Sequence, residues 1–233
     1  MYKRQALRFT YYSLASTGRD IKFDIGRIQG YRNFCNKIWN AARYALSNCQ
    51  PLESIQRTTF ATKNPYDKWI ISSLSSTIEN VRHSLSDYRF DLASSYIYEF
   101  VWTDYCDWYL EFSKTVLWSE TLNEKEKQST SLTLIDVLET TLRLLHPFMP
   151  FITEEVWQNL WSQKKGRETI MLQPYPKPSD WPKDIDTVSE VRWLQDIIYS
   201  IRALRSEMNV NPGKKIPILI RENQIEDKAK VKL

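Results

Sequence analysis

The sequence predicts an all-α protein, in which a helical bundle is followed by a small C-terminal unit of one helix and one strand. The first indication is periodicity, because apolar residues recur at steps of three and four along most of the chain, as on one face of an α-helix. The second is the scarcity of glycine, with 5 in 233 residues, which disfavours a turn-rich all-β fold. The third is the abundance of large amphipathic rings, 9 tryptophans and 13 tyrosines, which suit packing between helices and also stacking on bases.

The first predicted helix runs from residue 24 to about residue 46. Its predicted buried stripe follows steps of three and four along the chain. The members of the stripe are Ile25, Ile28, Tyr31, Cys35, Ile38, Ala42 and Ala45. A second helix should begin at Asn64-Pro65, because asparagine is a favoured N-cap and proline suits the first helical position.

The third predicted helix covers residues 91–114 and has an unusual density of rings. The fourth should begin near Asn123, with Glu126 three residues on as its partner in a capping box. Pro147 and Pro150 then break the helical pattern, and a shorter helix should follow them. Together these segments predict a bundle of about five helices, which we assign to residues 1–162.

The rest of the chain changes in character. Residues 163–186 are predicted to be a proline-rich connection laid along the surface. Residues 187–233 form the predicted C-terminal unit, with a helix over about residues 187–208. Alternating isoleucines over residues 216–220 predict one β-strand, which the proline among them places at a sheet edge or strand start. Because a single strand cannot form a sheet, its partners lie either in segments whose pattern does not reveal them or in sequence beyond this chain, and the second case suggests a piece of a longer protein.

Composition narrows the classes of function. The net charge of +4, from 32 basic and 28 acidic residues, permits an anionic partner without demanding one. The three cysteines, Cys35, Cys49 and Cys106, are odd in number and lack metal-ligand spacing, which predicts reduced thiols in a cytoplasmic protein and no metal site. No apolar run reaches the ~18 residues that a membrane span needs, so no membrane partner is predicted.

The sequence also offers no self-sufficient active site. It contains no glycine-rich phosphate loop, and its serines have no histidine partner that spacing can identify. We therefore predict no catalytic residue in this chain.

The helix over residues 24–46 carries unusual polar side chains. Asn33, Asn36 and Asn40 lie three and four apart and so form one strip on the helix surface, although isolated helices disfavour asparagine. Either these amides bridge to neighbouring helices, or they read the hydrogen-bonding edges of a partner. The sequence leaves both interpretations open.

At this helix the sequence becomes similar to a known family. The segment Arg32-Asn33-Phe34-Cys35-Asn36-Lys37-Ile38-Trp39-Asn40-Ala41-Ala42-Arg43-Tyr44 resembles the signature helix of the valyl-tRNA synthetase anticodon-binding domain. The similarity continues in residues 6–10, 14–21, 102–111, 145–155 and 201–215. Residues 145–155 are shared with the isoleucine, leucine and methionine enzymes, whereas the signature helix and residues 206–215 are closer to the valine enzyme. The HIGH and KMSKS signatures of the catalytic domain do not occur in this sequence.

The resemblance implies the helical anticodon-binding fold of class I aminoacyl-tRNA synthetases. It implies a parent enzyme, an ATP-dependent valine–tRNA ligase, whose catalytic domain is a partner of this chain. The chain itself would hold no cofactor and would bind the anticodon loop of a valine tRNA, whose second and third bases, A and C, the family reads. Such unpaired bases are recognised by stacking and by edge hydrogen bonds.

The motif match also suggests which residues bind the tRNA. We assign Tyr44 to base stacking, and Lys22, Arg27 and Arg43 to contact with phosphates or base edges. Lys37 and Lys114 are added on charge and placement alone. No metal ligand is implied.

A second wall of the site is predicted in residues 102–111. Trp102, Tyr105 and Tyr109 are three and four apart and could form a stacking strip, although most of these rings are expected to be core. Asp104 and Asp107 could accept a hydrogen bond from a cytosine amino group, with capping or surface salt bridges as the alternative.

Three other functions compete with this interpretation. The chain could be the equivalent domain of an isoleucyl-, leucyl- or methionyl-tRNA synthetase. It could be a helical protein-interaction module without a role in RNA binding. A small enzyme is the third alternative, which the lack of a catalytic constellation disfavours.

Overall fold

The structure, a computed structural model, describes residues 2–16, 25–49, 62–160, 169–211 and 213–217. These residues form α-helices joined by short connections, and no strand occurs among them. The helices are α1 (Tyr2–Leu14), α2 (Ile25–Asn48), α3 (Pro65–Ser86), α4 (Phe90–Glu99), a π-helix (Phe100–Tyr109), α5 (Leu110–Leu117), α6 (Glu124–Leu145), α7 (Pro150–Leu160) and α8 (Ile185–Glu207). The all-α prediction is therefore confirmed.

The chain divides into two compact units, and each is described by itself. The first unit comprises residues 1–184 and contains α1 to α7, and the second comprises residues 185–233 and contains α8. The domain limits predicted at residues 162 and 186 stay a prediction.

Helix α1 is an element that the apolar periodicity did not indicate. Its inward side combines the apolar Ala6 and Phe9 with the polar Gln5 and Thr10, all fully buried. Polar residues on the buried side hide the periodicity of the helix. The Phe9 ring contacts the Phe148 ring edge to face, with 6.2 Å between their centroids, and so joins α1 to the residues just before α7.

Helix α2 agrees with the prediction in its bounds but only partly in its buried side. From Cys35 to Ala45 the predicted stripe is buried, and Phe34 and Ala41 join it. At the first turn the prediction is wrong, because Ile25 is 76% exposed. Periodicity therefore overstated the length of the buried face.

Two predicted helix starts are confirmed. The Asn64 side chain accepts a hydrogen bond from the Tyr66 amide at 3.0 Å, and Pro65 occupies the first position of α3. At α6, Asn123 and Glu126 form the predicted capping box, each side chain accepting from the other residue's amide.

A buried carboxyl group ties three parts of the first unit together. Asp67 of α3 accepts hydrogen bonds from Tyr109 at 2.7 Å and from Thr62 and Thr130 at 2.9 Å each. Burial nevertheless outweighs these donors and raises the pKa of Asp67 to about 6. The cluster fixes the end of the π-helix against α3 and α6.

The helix predicted over residues 91–114 is continuous, but its hydrogen-bonding pattern changes along its length. Between α4 and α5 it is a π-helix, in which the Leu110 amide donates to the carbonyl of Tyr105, five residues earlier. Periodicity indicated one continuous helix and did not indicate this change.

Residues 169–184 pack against the bundle within the first unit. Arg143 donates to the Pro174 carbonyl at 2.8 Å, Ser75 donates to the Trp181 carbonyl at 3.0 Å, and the Trp181 side chain is buried. The regular structure of this segment consists of two short 3₁₀ turns, Ile170–Leu172 and Pro178–Asp180. This part of the predicted surface connection thus contributes to the core.

In the second unit, Arg205 of α8 stabilises the turn that follows the helix. Its guanidinium donates to the carbonyls of Asn211 at 2.7 Å and Lys214 at 3.0 Å. Of the predicted strand, residues 216 and 217 have no strand structure, and residues 218–220 lie outside the described residues. Among the described helices, none is both long and apolar enough to cross a membrane.

Candidate nucleic-acid interface

All the charged side chains of helix α2 are positive. Its 24 residues include four cations and no carboxylate. The cations are Arg27, Arg32, Lys37 and Arg43. A helix of this composition presents a positive potential to an anionic partner.

The described residues among those predicted to bind tRNA do not all lie on one face of α2. Lys22 lies outside the described residues. Arg27 and Arg43 are both exposed, but at helical geometry they lie about 160° apart around the axis of α2 and about 24 Å apart along it. Arg43 borders a groove of about 80 Å³ between α2 and α7. Arg27, Arg43 and Tyr44 therefore do not come together in a single site.

Lys37 and Tyr44 do share a face, because seven residues are nearly two full turns. This face lies against the π-helix and α5. The Lys37 ammonium is 2.5 Å from a carboxylate oxygen of Asp107 and 3.7 Å from the centroid of the Trp102 ring. The Tyr44 hydroxyl lies 3.2 Å from that of Ser113.

We call the set Lys37, Tyr44, Trp102, Asp107 and Lys114 the seam. Its side chains are half-buried or exposed: 23% of the Lys37 side chain and 49% of the Asp107 side chain are open to solvent. Lys114 approaches the Tyr44 ring at 5.7 Å and pairs with Glu111. The seam therefore offers two ammonium groups, a carboxylate and two aromatic rings along one line of contact.

The π-helix explains why Trp102 and Asp107 both reach Lys37. In an α-helix, residues five apart are separated by about 140° around the axis. The wider turn of a π-helix, with hydrogen bonds to the fifth residue, brings residues five apart onto one face. The ring and the carboxylate therefore approach the same ammonium group.

A series of ring contacts packs against the Trp102 ring of the seam and connects it to α2. Tyr98 stacks on Trp102, with 5.5 Å between centroids and 18° between planes, and also contacts Phe34 of α2 at 4.8 Å. Tyr31 meets Tyr98 edge to face at 5.8 Å. Sequence reasoning did not assign Tyr98, although its position four residues before Trp102 was the available signal.

Two of the three rings considered for base stacking belong to the core. Tyr105 and Tyr109 are buried, with hydroxyls that donate to the Leu134 carbonyl and to Asp67. Core packing, which was expected for most of the three rings, is confirmed for these two, because α3 and α6 cover their side of the helix. Trp102 remains half-buried at the seam.

The three asparagines of α2 lie on its solvent-exposed side. Asn33, Asn36 and Asn40 are all exposed. No hydrogen bond joins their side chains to another of the described residues, so bridging to a neighbouring helix is not their role within that part of the chain. The amides face solvent beside the seam.

Burial raises the pKa of several side chains in this region. Partial burial raises the pKa of Tyr44 and of Tyr98, so both hydroxyls keep their protons. Burial also raises the pKa of Cys106 to about 12 and that of Cys35 and Cys49 to about 11, which removes their nucleophilic thiolate forms. Among the described residues no cluster of acidic, histidine or cysteine side chains could hold a metal ion.

Comparison with known proteins first defines the class of fold. The ternary complex of Agrobacterium radiobacter K84 agnB2 LeuRS with tRNA and LeuAMS contains a similar arrangement of helices, with a TM-score of 0.57 and 19% sequence identity. The match covers 79% of this chain and 20% of the LeuRS chain. The match shows a shared helical fold over that part of the chain. A family model described as "Anticodon-binding domain of tRNA ligase" matches residues 67–220, and the chain belongs to this family.

Curated relatives are similar over nearly the whole chain. The valine–tRNA ligase of Legionella pneumophila (strain Lens) is 48% identical over 233 residues, which is 99% of this chain. Those of Coxiella burnetii and Psychrobacter arcticus are 44% and 42% identical over 97% and 92% of the chain. The resemblance to valyl-tRNA synthetases is confirmed. The chain spans about a quarter of the length of these relatives, 25%, 25% and 23%.

Proposed function

We propose that this chain recognises the anticodon loop of a valine tRNA as part of a valine–tRNA ligase. The parent enzyme would use ATP to charge valine onto its tRNA, with a catalytic domain that this sequence does not contain. The support is the anticodon-binding family and the identity of 42–48% with valine–tRNA ligases. The free thiols of Cys35, Cys49 and Cys106 fit a cytoplasmic location.

The seam carries the proposal. An unpaired base can stack on Trp102 in place of the Lys37 ammonium, which then moves to a phosphate or a base carbonyl. Asp107 can accept a hydrogen bond from the exocyclic amino group of cytosine. Ring, cation and carboxylate are thus the three kinds of contact that single-stranded RNA recognition uses, and Tyr44 adds a second ring.

Of the predicted tRNA-binding residues, Lys37 and Tyr44 enter this proposal directly. Arg27, Arg43 and Lys22 remain candidates for phosphate contacts along the loop and stem. Such contacts would add affinity without distinguishing one anticodon from another.

The test is filter binding of the full chain to valine tRNA and to valine tRNA with a swapped anticodon. We expect preference for the natural anticodon, and Lys37→Met should reduce both affinity and preference. Tyr44→Ala should weaken binding by roughly 1–3 kcal/mol if a base stacks on the ring. Lys125→Met removes an exposed lysine of α6 and is the matched control, with no expected effect.

Three results would redirect the assignment. Equal binding of both tRNAs would contradict anticodon recognition. Preference for an isoleucine, leucine or methionine tRNA would support the equivalent domain of another synthetase. The absence of any RNA binding would favour the protein-interaction module.

A further inference from the structure

The outer side of α2 carries an uninterrupted row of amide and guanidinium groups. Its members are Gln29, Arg32, Asn33, Asn36, Asn40 and Arg43, which we call the amide strip. All six are exposed, and steps of three and four keep them on one side of the helix over about 21 Å. The strip lies beside the seam but does not include its residues.

Nothing within the described part of the chain uses these side chains. None of the six makes a hydrogen bond or ion pair to another described residue. Exposed asparagines in the middle of a helix lower its stability relative to alanine, since their short side chains compete for backbone hydrogen bonds. Asn33, Asn36 and Asn40 therefore lower the stability of the helix, and no intramolecular contact among the described residues offsets this.

The chemistry of the strip identifies the kind of partner. Two guanidinium groups, on a helix without any carboxylate, favour a polyanion. Amides both donate and accept hydrogen bonds, as the 2′-hydroxyl of RNA does, and helical RNA exposes its 2′-hydroxyls and phosphates in a wide, shallow minor groove. An apolar protein surface would match none of these six side chains.

We propose that the amide strip contacts the backbone of the anticodon stem, next to the loop bound at the seam. This inference rests on the proposed function, because it assumes that the ligand is a tRNA. It assigns the two surfaces different tasks: the seam distinguishes bases, and the strip holds the double-stranded RNA through riboses and phosphates without reading its sequence.

The test compares two triple variants of the full chain. Asn33→Ala, Asn36→Ala and Asn40→Ala together replace three amides by the best helix former, so the helix should be at least as stable as before. Ser76→Ala, Asn80→Ala and Gln128→Ala together form the matched control, since these are exposed polar residues of α3 and α6. Thermal unfolding of both variants checks that the fold is retained.

We expect the strip variant to bind valine tRNA about tenfold or more weakly, equivalent to losing one or more net hydrogen bonds. The loss should be equal for the anticodon-swapped tRNA and for a hairpin with the same stem closed by an unrelated tetraloop. The control variant should bind all three RNAs as the original chain does.

Three outcomes would overturn the inference. Unchanged RNA affinity of the strip variant would assign the strip to another partner, such as a protein surface. A loss confined to the natural anticodon would assign the amides to base reading. Failure of the original chain to bind any tRNA would contradict the proposed function itself, whereas tRNA binding that persists in the strip variant contradicts the strip alone.

Discussion

Asp67 is a carboxyl group enclosed by three hydroxyls, and its ionisation should be measurable in the stability of the protein. Burial raises its pKa from 3.8 to about 6. Because the pKa is higher in the folded state, folding favours the protonated form. The stabilising contribution is therefore complete below about pH 4 and is lost as the pH rises through about 6.

We predict that the original chain gains stability relative to Asp67→Asn when the pH falls. From about pH 7 to about pH 5 the gain should be about 1 kcal/mol, since the amide of the variant does not titrate. Urea unfolding of both proteins at the two pH values measures it. A difference in stability that is the same at both pH values would show that Asp67 does not take up a proton in this range.

Single residues were well predicted where their role is local. Asn64 and Asn123 were identified as N-caps because a cap depends on a few adjacent residues. Core packing was expected for most of Trp102, Tyr105 and Tyr109, but which of these rings stays near the surface depends on distant elements. A spacing of four residues shows that two rings share a face, but it does not show what that face contacts.

Among the helices, the π-helix between α4 and α5 has the largest effect on the site. Its register places Trp102 and Asp107 against one ammonium group, which an α-helix over the same residues would not do. Rare π-helical segments occur frequently at functional sites. The π-helical register therefore predicts that Lys37 interacts with both Trp102 and Asp107.

Double-mutant cycles on folding stability test whether Lys37 interacts with Trp102 and Asp107. Lys37→Met should show a coupling energy of about 0.5 kcal/mol with Asp107→Asn, as for partly exposed ion pairs. Its coupling with Trp102→Leu should be about 0.5–1 kcal/mol, as for a cation over a ring. The control is Glu111→Gln, which removes the partner of Lys114 and should not couple to Lys37.

A cycle without coupling between Lys37 and Asp107 would contradict the π-helical placement. This result would be independent of RNA binding. Coupling in stability together with unchanged anticodon preference would instead retain the geometry and remove the seam from the recognition site.

For the whole molecule, charge distribution matters more than net charge. The net charge is only +4, yet α2 concentrates four cations without a carboxylate on one helix. A local concentration of this kind can bind a polyanion even when the whole chain is nearly balanced.

We therefore predict a steep dependence of valine tRNA binding on salt. If the exposed Arg27, Arg32 and Arg43 each neutralise a phosphate, affinity should fall about 20-fold between about 50 mM and about 200 mM salt. Filter binding over this range measures the slope, and the triple variant with alanine at these positions should have a much flatter one. Binding that is insensitive to salt would favour the protein-interaction alternative.

The sequence by itself determined the all-α class, most helix bounds, the two N-caps and the family. Each of these depends on spacing or on a motif within a short segment, and local physics such as capping and apolar periodicity acts over one or two turns. The sequence did not predict helix α1, because buried polar residues interrupt its apolar periodicity.

Only the tertiary structure decided which predicted residues meet. It joined Lys37 and Tyr44 to Trp102 and Lys114, separated Arg27 from Arg43, buried Tyr105 and left the asparagines of α2 in solvent. These outcomes depend on helix register and on contacts between residues far apart in the sequence, such as Tyr44 and Lys114 at 70 positions and Tyr109 and Asp67 at 42. The cause is that the face of a helix which becomes buried is chosen by the neighbours that pack on it.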